Sequence, residues 1–207
     1  MPLQPLINIM SFLLPHPERL SGAAQVCRQW RRAATDPSFV LHVYPVEMGA
    51  YTRDEKKMEF NHFRSLPDAI EKARPGDTIE LADGHFWVNE DLNISIPLRI
   101  IGDENNPSHV VVEMSGSSIA WRAKGGWMEG VTFRRPKLNA SGDPMTKSLL
   151  KIDGGQLDTY NCIFDNEGSS GKAVVVSGTR SGGEWKGTRV NGGVLQEVDG
   201  SLDMTSK

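Results

Sequence analysis

Residues 149–166 read LLKIDGGQLDTYNCIFDN, and two neighbouring stretches repeat their plan: IAWRAKGGWMEGVTFRRP at 119–136 and VVVSGTRSGGEWKGTRVNG at 174–192. Each holds a short apolar strand, a glycine-containing turn, a second short stretch and another strand. The second strand is preceded by Gly130, Asn161 or Gly187. Glycine and asparagine accept a positive φ at least cost, so this position reads as a tight corner. The steps from Phe133 to Phe164 and from Phe164 to Val190 are unequal, as loop insertions between stacked units would make them. Irregular repeats of this size point to a solenoid whose rungs stack. A β-sandwich with similar turns is the alternative, because strand spacing alone does not separate the two folds.

Outward from these repeats, short apolar strands continue in both directions. They are expected at Thr78–Leu81, Leu92–Ile96, Leu98–Ile101, Val110–Glu113, Ile119–Arg122, Val131–Phe133, Leu149–Ile152, Cys162–Phe164, Val174–Val176 and Val194–Glu197, each bounded by Gly, Asn, Asp, Ser or Pro. A short helix is expected around Asp68–Ala73, ahead of the turn at Pro75-Gly76-Asp77. Residues 41–63 join a short apolar piece to the charge run RDEKK and read as a connector with a solvated face.

Composition narrows the function classes. The 23 basic and 26 acidic residues leave a net charge of −3, so no overall field favours nucleic acid or an anionic membrane. No run approaches the roughly 18 apolar residues that span a bilayer. Cys27 and Cys162 stand far apart with no CxxC or Cys/His cluster, which argues against a zinc site or disulfide framework and fits a reducing compartment, cytoplasm or nucleus. The apolar run LINIMSFLL before Ser21-Gly22-Ala23 has the outline of a signal peptide, and Asn93-Ile-Ser and Asn139-Ala-Ser are formal glycosylation sequons. Against that reading, no Lys or Arg precedes the run, and Glu18 and Arg19 separate it from the small residues.

The first forty residues differ in kind. Leu6, Ile9, Met10 and Leu13 form one helical stripe that ends before Pro15, and Leu20, Ala23, Ala24, Cys27 and Trp30 form a second, closed by Asp36-Pro37. Two such helices bury little apolar area, and at about 25 cal/mol per Å² they barely offset the entropy of ordering. A unit of this kind either packs its stripes within its own chain or completes its core on a partner.

The stretch MPLQPLINIMSFLLPHPERLSGAAQVCRQWRRAATDPSFV resembles an F-box: a proline-initiated helix ending in Ser-Phe-Leu, a Pro-containing turn, Ala-x-Val-Cys-x-x-Trp-Arg and a closing Asp-Pro-Ser. It departs from the family at Met1, where leucine is usual, at Pro5 inside the first helix, and at Val40, where tryptophan is common. The resemblance implies docking onto a Skp-type adaptor, and through it a cullin, with Pro2, Ile9, Phe12, Val26 and Trp30 as contacts. Further on, AIEKARPGDTIELADGHF resembles the opening of pectin-lyase-like right-handed parallel β-helices, where a helix caps the first coil. An F-box followed by such a β-helix resembles the plant Skp-interacting F-box proteins and the animal F-box proteins with β-helical repeats.

The expectation is therefore a mainly β protein: an F-box-like helical domain over residues 1–42, a connector over 43–63 and a short right-handed β-helix of four or five coils over 64–207. Pectin-active β-helix enzymes use paired carboxylates or carboxylate-bound calcium with a basic residue. Asp153, Asp158 and Asp165 cluster in one repeat only, their counterparts include Arg122, Trp127 and Arg134, and aspartate commonly serves turns and caps. No catalytic residue, metal or other cofactor is expected, and His85 reads as a turn residue. Four tryptophans, Trp87, Trp121, Trp127 and Trp185, are many for a small β domain. Where they face outward they form an interface hot spot, and where they face inward they are core. Trp121, Trp127 and Trp185, with Arg134 and Arg135, make the candidate target-binding set. The expected function is that of a substrate-recruiting subunit of a Skp-cullin-F-box ubiquitin ligase, transferring no ubiquitin itself and holding an unidentified target protein. The rivals are a secreted carbohydrate-active β-helix enzyme and a scaffold that works without any ligase.

Overall fold

The computed structural model describes residues 40–45, 62–136, 147–166, 169–178, 181–196 and 201–205. These form three sheets in which every pairing is parallel, with strands numbered in chain order. The first sheet contains β1 (Val40–Val43), β2 (His62–Phe63), β3 (Thr78–Leu81), β6 (Arg99–Ile101), β9 (Lys124–Glu129), β12 (Gln156–Tyr160), β15 (Gly182–Lys186) and β18 (Ser201–Thr205). The second contains β4 (Gly84–Val88), β7 (Val110–Met114), β10 (Thr132–Arg134), β13 (Ile163–Asp165) and β16 (Arg189–Asn191). The third contains β5 (Leu92–Ile94), β8 (Ile119–Trp121), β11 (Leu150–Asp153), β14 (Val174–Ser177) and β17 (Val194–Gln196). From β3 onward the chain visits the three sheets in strict rotation, so each strand hydrogen-bonds to the strand three places later.

That rotation solves the crossover problem of parallel pairing. Two parallel strands need a long return connection, and here the strands of the other two sheets supply it. Side chains alternate accordingly: β3 reads half-buried, buried, exposed, buried, and β5 reads buried, exposed, buried. The inward residues then stack in files across the rounds. One file is Phe86, Val112, Phe133, Phe164 and Val190, another is Ile94, Trp121 and Ile152, and a third is Ile79, Ile100, Met128, Thr159 and Trp185. The Phe133 and Phe164 rings stack at 5.4 Å between centroids, and Phe164 and Trp185 at 5.3 Å. Offset aromatic stacking of this kind adds about 0.5–1.5 kcal/mol per pair beyond area burial.

The expected corners are where the repeats placed them. Gly130, Asn161 and Gly187 have φ of 64°, 48° and 61°. At Gly130 a Cβ would collide with the carbonyl of Asp103 in the preceding round, so both its conformation and its neighbour require glycine. Asn161 tolerates the same region and its amide donates to the Glu104 carbonyl at 3.2 Å.

Helix α1 (Leu66–Lys72) begins at Ser65, whose Oγ accepts the Asp68 N–H at 3.2 Å and donates to the Asp68 carboxylate at 2.6 Å. It buries Leu66 and Ala69 against β1, β2, β4 and β5, the leading strands of all three sheets. This seals one end of the apolar interior. The expected connector is framed by β1 and β2, which pair with each other inside the first sheet, so the residues at its two edges belong to that sheet. The second stretch of each repeat is also a strand, β9, β12 or β15, which the sequence pattern alone did not declare.

Candidate interaction faces

The adaptor contacts expected at Pro2, Ile9, Phe12, Val26 and Trp30 lie outside the described residues. The second set, Trp121, Trp127, Arg134, Arg135 and Trp185, divides between interior and surface.

Trp121 and Trp185 are core, which corrects their placement on a binding face. Both are sealed from solvent, at 0% and 1% exposure. Their indole N–H groups, which must find partners once buried, donate to the carbonyls of Gln156 at 2.9 Å and Leu157 at 3.0 Å. The bonds run to the neighbouring round, so each ring also ties successive rounds together.

Arg135 is corrected in the same way. It is 3% exposed, with Nε donating to Asn166 Oδ1 at 3.0 Å and Nη2 to the carbonyls of Ser117 at 2.5 Å and Ser148 at 3.0 Å. Loss of water around the guanidinium lowers its hold on its proton, and the negative charge of Asp91 offsets part of that effect. Its neighbour Arg134 points the other way, out of the second sheet, where Nη2 meets Glu113 Oε2 at 2.7 Å. Arg134 ends β10 and Arg135 follows it, so one arginine is a surface ion-pair partner and the next an interior tie.

Trp127 is the member of the set whose ring lies on an outer face. It is half-buried on the first sheet, with the Arg99 guanidinium 4.2 Å from its ring centroid. Register places Asp158 directly beside Trp127, and Tyr160 directly beside Glu129. Two aromatic and two acidic side chains thus occupy the corners of one outward patch. The sequence reading missed Tyr160, Glu129 and Arg99, and it assigned Asp158 to a turn. Asp158 instead sits within β12, its Oδ1 accepting the Glu184 N–H at 2.8 Å. Asp153 and Asp165 do end their strands, β11 and β13. The alternation of QLDTY was the available signal, since its apolar Leu157 implies outward Asp158 and Tyr160.

Two further sites resolve into structural roles. His85 lies within β4 rather than in a turn, and Trp87, 57% exposed on the same strand, stands beside Glu113. Among the described residues, Asp83, Asp103 and His109 bring ligand-type atoms within 4.8 Å of one another. His109 already uses both ring nitrogens, Nδ1 with Asp103 Oδ2 at 2.8 Å and Nε2 with Asn106 Nδ2 at 2.8 Å. The Asn106 amide donates to Nε2, so Nδ1 carries the proton toward Asp103. Backbone N–H groups of Asn105 and Asn106 hold the other Asp103 oxygen, and these bonds keep its carboxyl below the ordinary range. The group clasps the short 3-10 turn Pro107–His109 onto the corner ahead of β7.

Comparison with known proteins bears first on the N-terminal part of the chain. Residues 1–44 match the family model described as F-box-like. Over 107 residues, 52% of the chain, the sequence is 31% identical to the F-box protein SKIP5 of Arabidopsis thaliana. The match takes in 36% of that protein's length, so the chain spans about a third of the relative it resembles. No solved structure matches.

Proposed function

We propose that the chain is a substrate-recruiting subunit of a Skp-cullin-F-box ubiquitin ligase, in which residues 1–42 dock onto a Skp-type adaptor and residues 64–207 form a right-handed, pectin-lyase-like β-helix that holds the target. The observation that carries the reading is the F-box-like match over residues 1–44, joined to the similarity with an F-box protein. The rotating order of the three parallel sheets supports the β-helix, since stacked rounds of three strands are what a parallel solenoid requires.

The mechanism is proximity. A bound target is held near a ubiquitin-loaded conjugating enzyme, which raises its effective concentration without any reacting group on this chain. The subunit is non-catalytic and works in the cytoplasm or nucleus. Pro2, Ile9, Phe12, Val26 and Trp30 supply the adaptor contacts, and an outward face of the β-helix supplies the target contacts. Such solenoids bind along lateral surfaces that cross several repeats, and the outer face of the first sheet crosses the most strands here.

The test is capture by purified Skp-type adaptor, comparing the wild type with a variant carrying Val26→Asp and Trp30→Ala. The wild type is expected to be retained and the variant lost, while circular dichroism of the variant keeps the wild-type β signal. Equal retention of the two proteins overturns the adaptor assignment.

A further inference from the structure

We infer that the outer patch of Trp127, Glu129, Asp158 and Tyr160 on the first sheet receives an arginine- or lysine-bearing segment of a partner protein. The inference rests on the proposed target-binding role of this face and names the chemistry of the target. Parallel strands lie about 4.8 Å apart and alternate residues on one face about 6.6 Å apart, so the four side chains stand side by side within reach of one cationic head group. Trp127 neighbours Asp158 across the strands, and Tyr160 neighbours Glu129, so a cation between them meets an aromatic face and a carboxylate on either side.

Three observations point to a cation. Arg99 already lays its guanidinium over one face of Trp127 at 4.2 Å, so the chain itself uses the ring as a cation seat. No ion pair or hydrogen bond neutralises the Glu129 carboxylate among the described residues, whereas Glu184 is matched by Lys186 at 2.7 Å and Glu80 faces His42 at 3.2 Å. Finally, burial and then the charges of Asp158, Glu184 and Glu129 raise the Tyr160 hydroxyl above its ordinary value, against the opposing charge of Lys186 on the adjacent strand. Of these, the carboxylate charges favour a cation beside the ring, whereas burial opposes a charge of either sign. Among the described residues the third sheet offers nothing comparable on its outer face, where Asn93, Ala120 and Lys151 align.

The probe is a fluorescein-labelled peptide of alternating glycine and arginine, read by anisotropy against the full chain, with a glycine–glutamate peptide as comparison. Binding of the arginine peptide alone is expected, and Glu129→Gln with Asp158→Asn should weaken it about tenfold, as should Trp127→Ala. A matched control, Glu90→Gln with Asp153→Asn, removes the same charge elsewhere and should leave binding unchanged. Equal weakening by the control overturns the inference, because diffuse charge attraction would then suffice. So does a folded wild type that ignores the arginine peptide. A dimer in light scattering that the patch variant abolishes, without peptide binding, would assign the face to a second copy of the chain and also overturns it. Adaptor capture measured on the same proteins keeps the two readings apart: the patch variants are expected to retain it, and its loss in the wild type would strike the ligase proposal alone.

Discussion

The two faces of the first sheet are built from alternate residues of the same strands, yet they carry opposite duties. Inward, Met128, Thr159 and Trp185 stack in one file and vanish from solvent. Outward, one residue away along each strand, Trp127, Asp158 and Lys186 remain in reach of a partner. Trp185 fixes the interior through a stacked Phe164 and a buried N–H bond, whereas Trp127 carries a cation on a surface patch. Residue type therefore does not separate interior from surface in this protein. Parity along the strand does.

The largest expected effect breaks the comparison most directly. Trp185→Ala should cost about 3–5 kcal/mol of stability, the usual range for emptying a packed aromatic site, while Trp127→Ala should cost only about 1 kcal/mol, the worth of a solvent-facing cation–π contact. Urea unfolding followed by far-ultraviolet circular dichroism measures both. Comparable losses would erase the distinction between the faces.

A second prediction sharpens it at the corner beside the interior. Cys162 is fully buried after Asn161, and burial pushes its thiol up to about 12. In a Cys27→Ser background the folded protein should leave a thiol-reactive disulfide reagent unconsumed at pH 8, with one equivalent released on adding denaturant. Rapid reaction without denaturant would mean that this corner opens.

The smallest effect concerns the outer clasp. The Asp103 carboxyl is held below its ordinary value by the backbone N–H of Asn105 and by His109. A depressed folded pKa contributes stability above the unfolded pKa near 3.8, and that contribution is lost as pH falls through the folded value. The wild type should therefore melt slightly higher than Asp103→Asn at pH 7, with the gap closing under strongly acidic conditions. A gap that persists at low pH would contradict the clasp.

The corners and the apolar strands were legible because their causes are local. Gly130, Asn161 and Gly187 announce a positive φ, and runs such as LLKI and VVV announce strands. The middle strand of each of the three quoted repeats was not legible. KGGWME, QLDTY and GGEWK mix glycine with charge and have weak strand preference alone, and they become strands because the neighbouring rounds supply hydrogen bonds to both edges. The interior fate of Arg135 was equally hidden, since its partners Ser117, Ser148 and Asn166 come from other rounds.

By itself the sequence determined that short strands repeat around glycine and asparagine corners, and that an F-box-like stretch precedes them. Tertiary structure alone decided which of the described tryptophans are core and which are surface. A one-residue change of register exchanges the two faces of a strand, and register is set by pairing with strands some thirty residues away, as Asp158 pairs with Trp127.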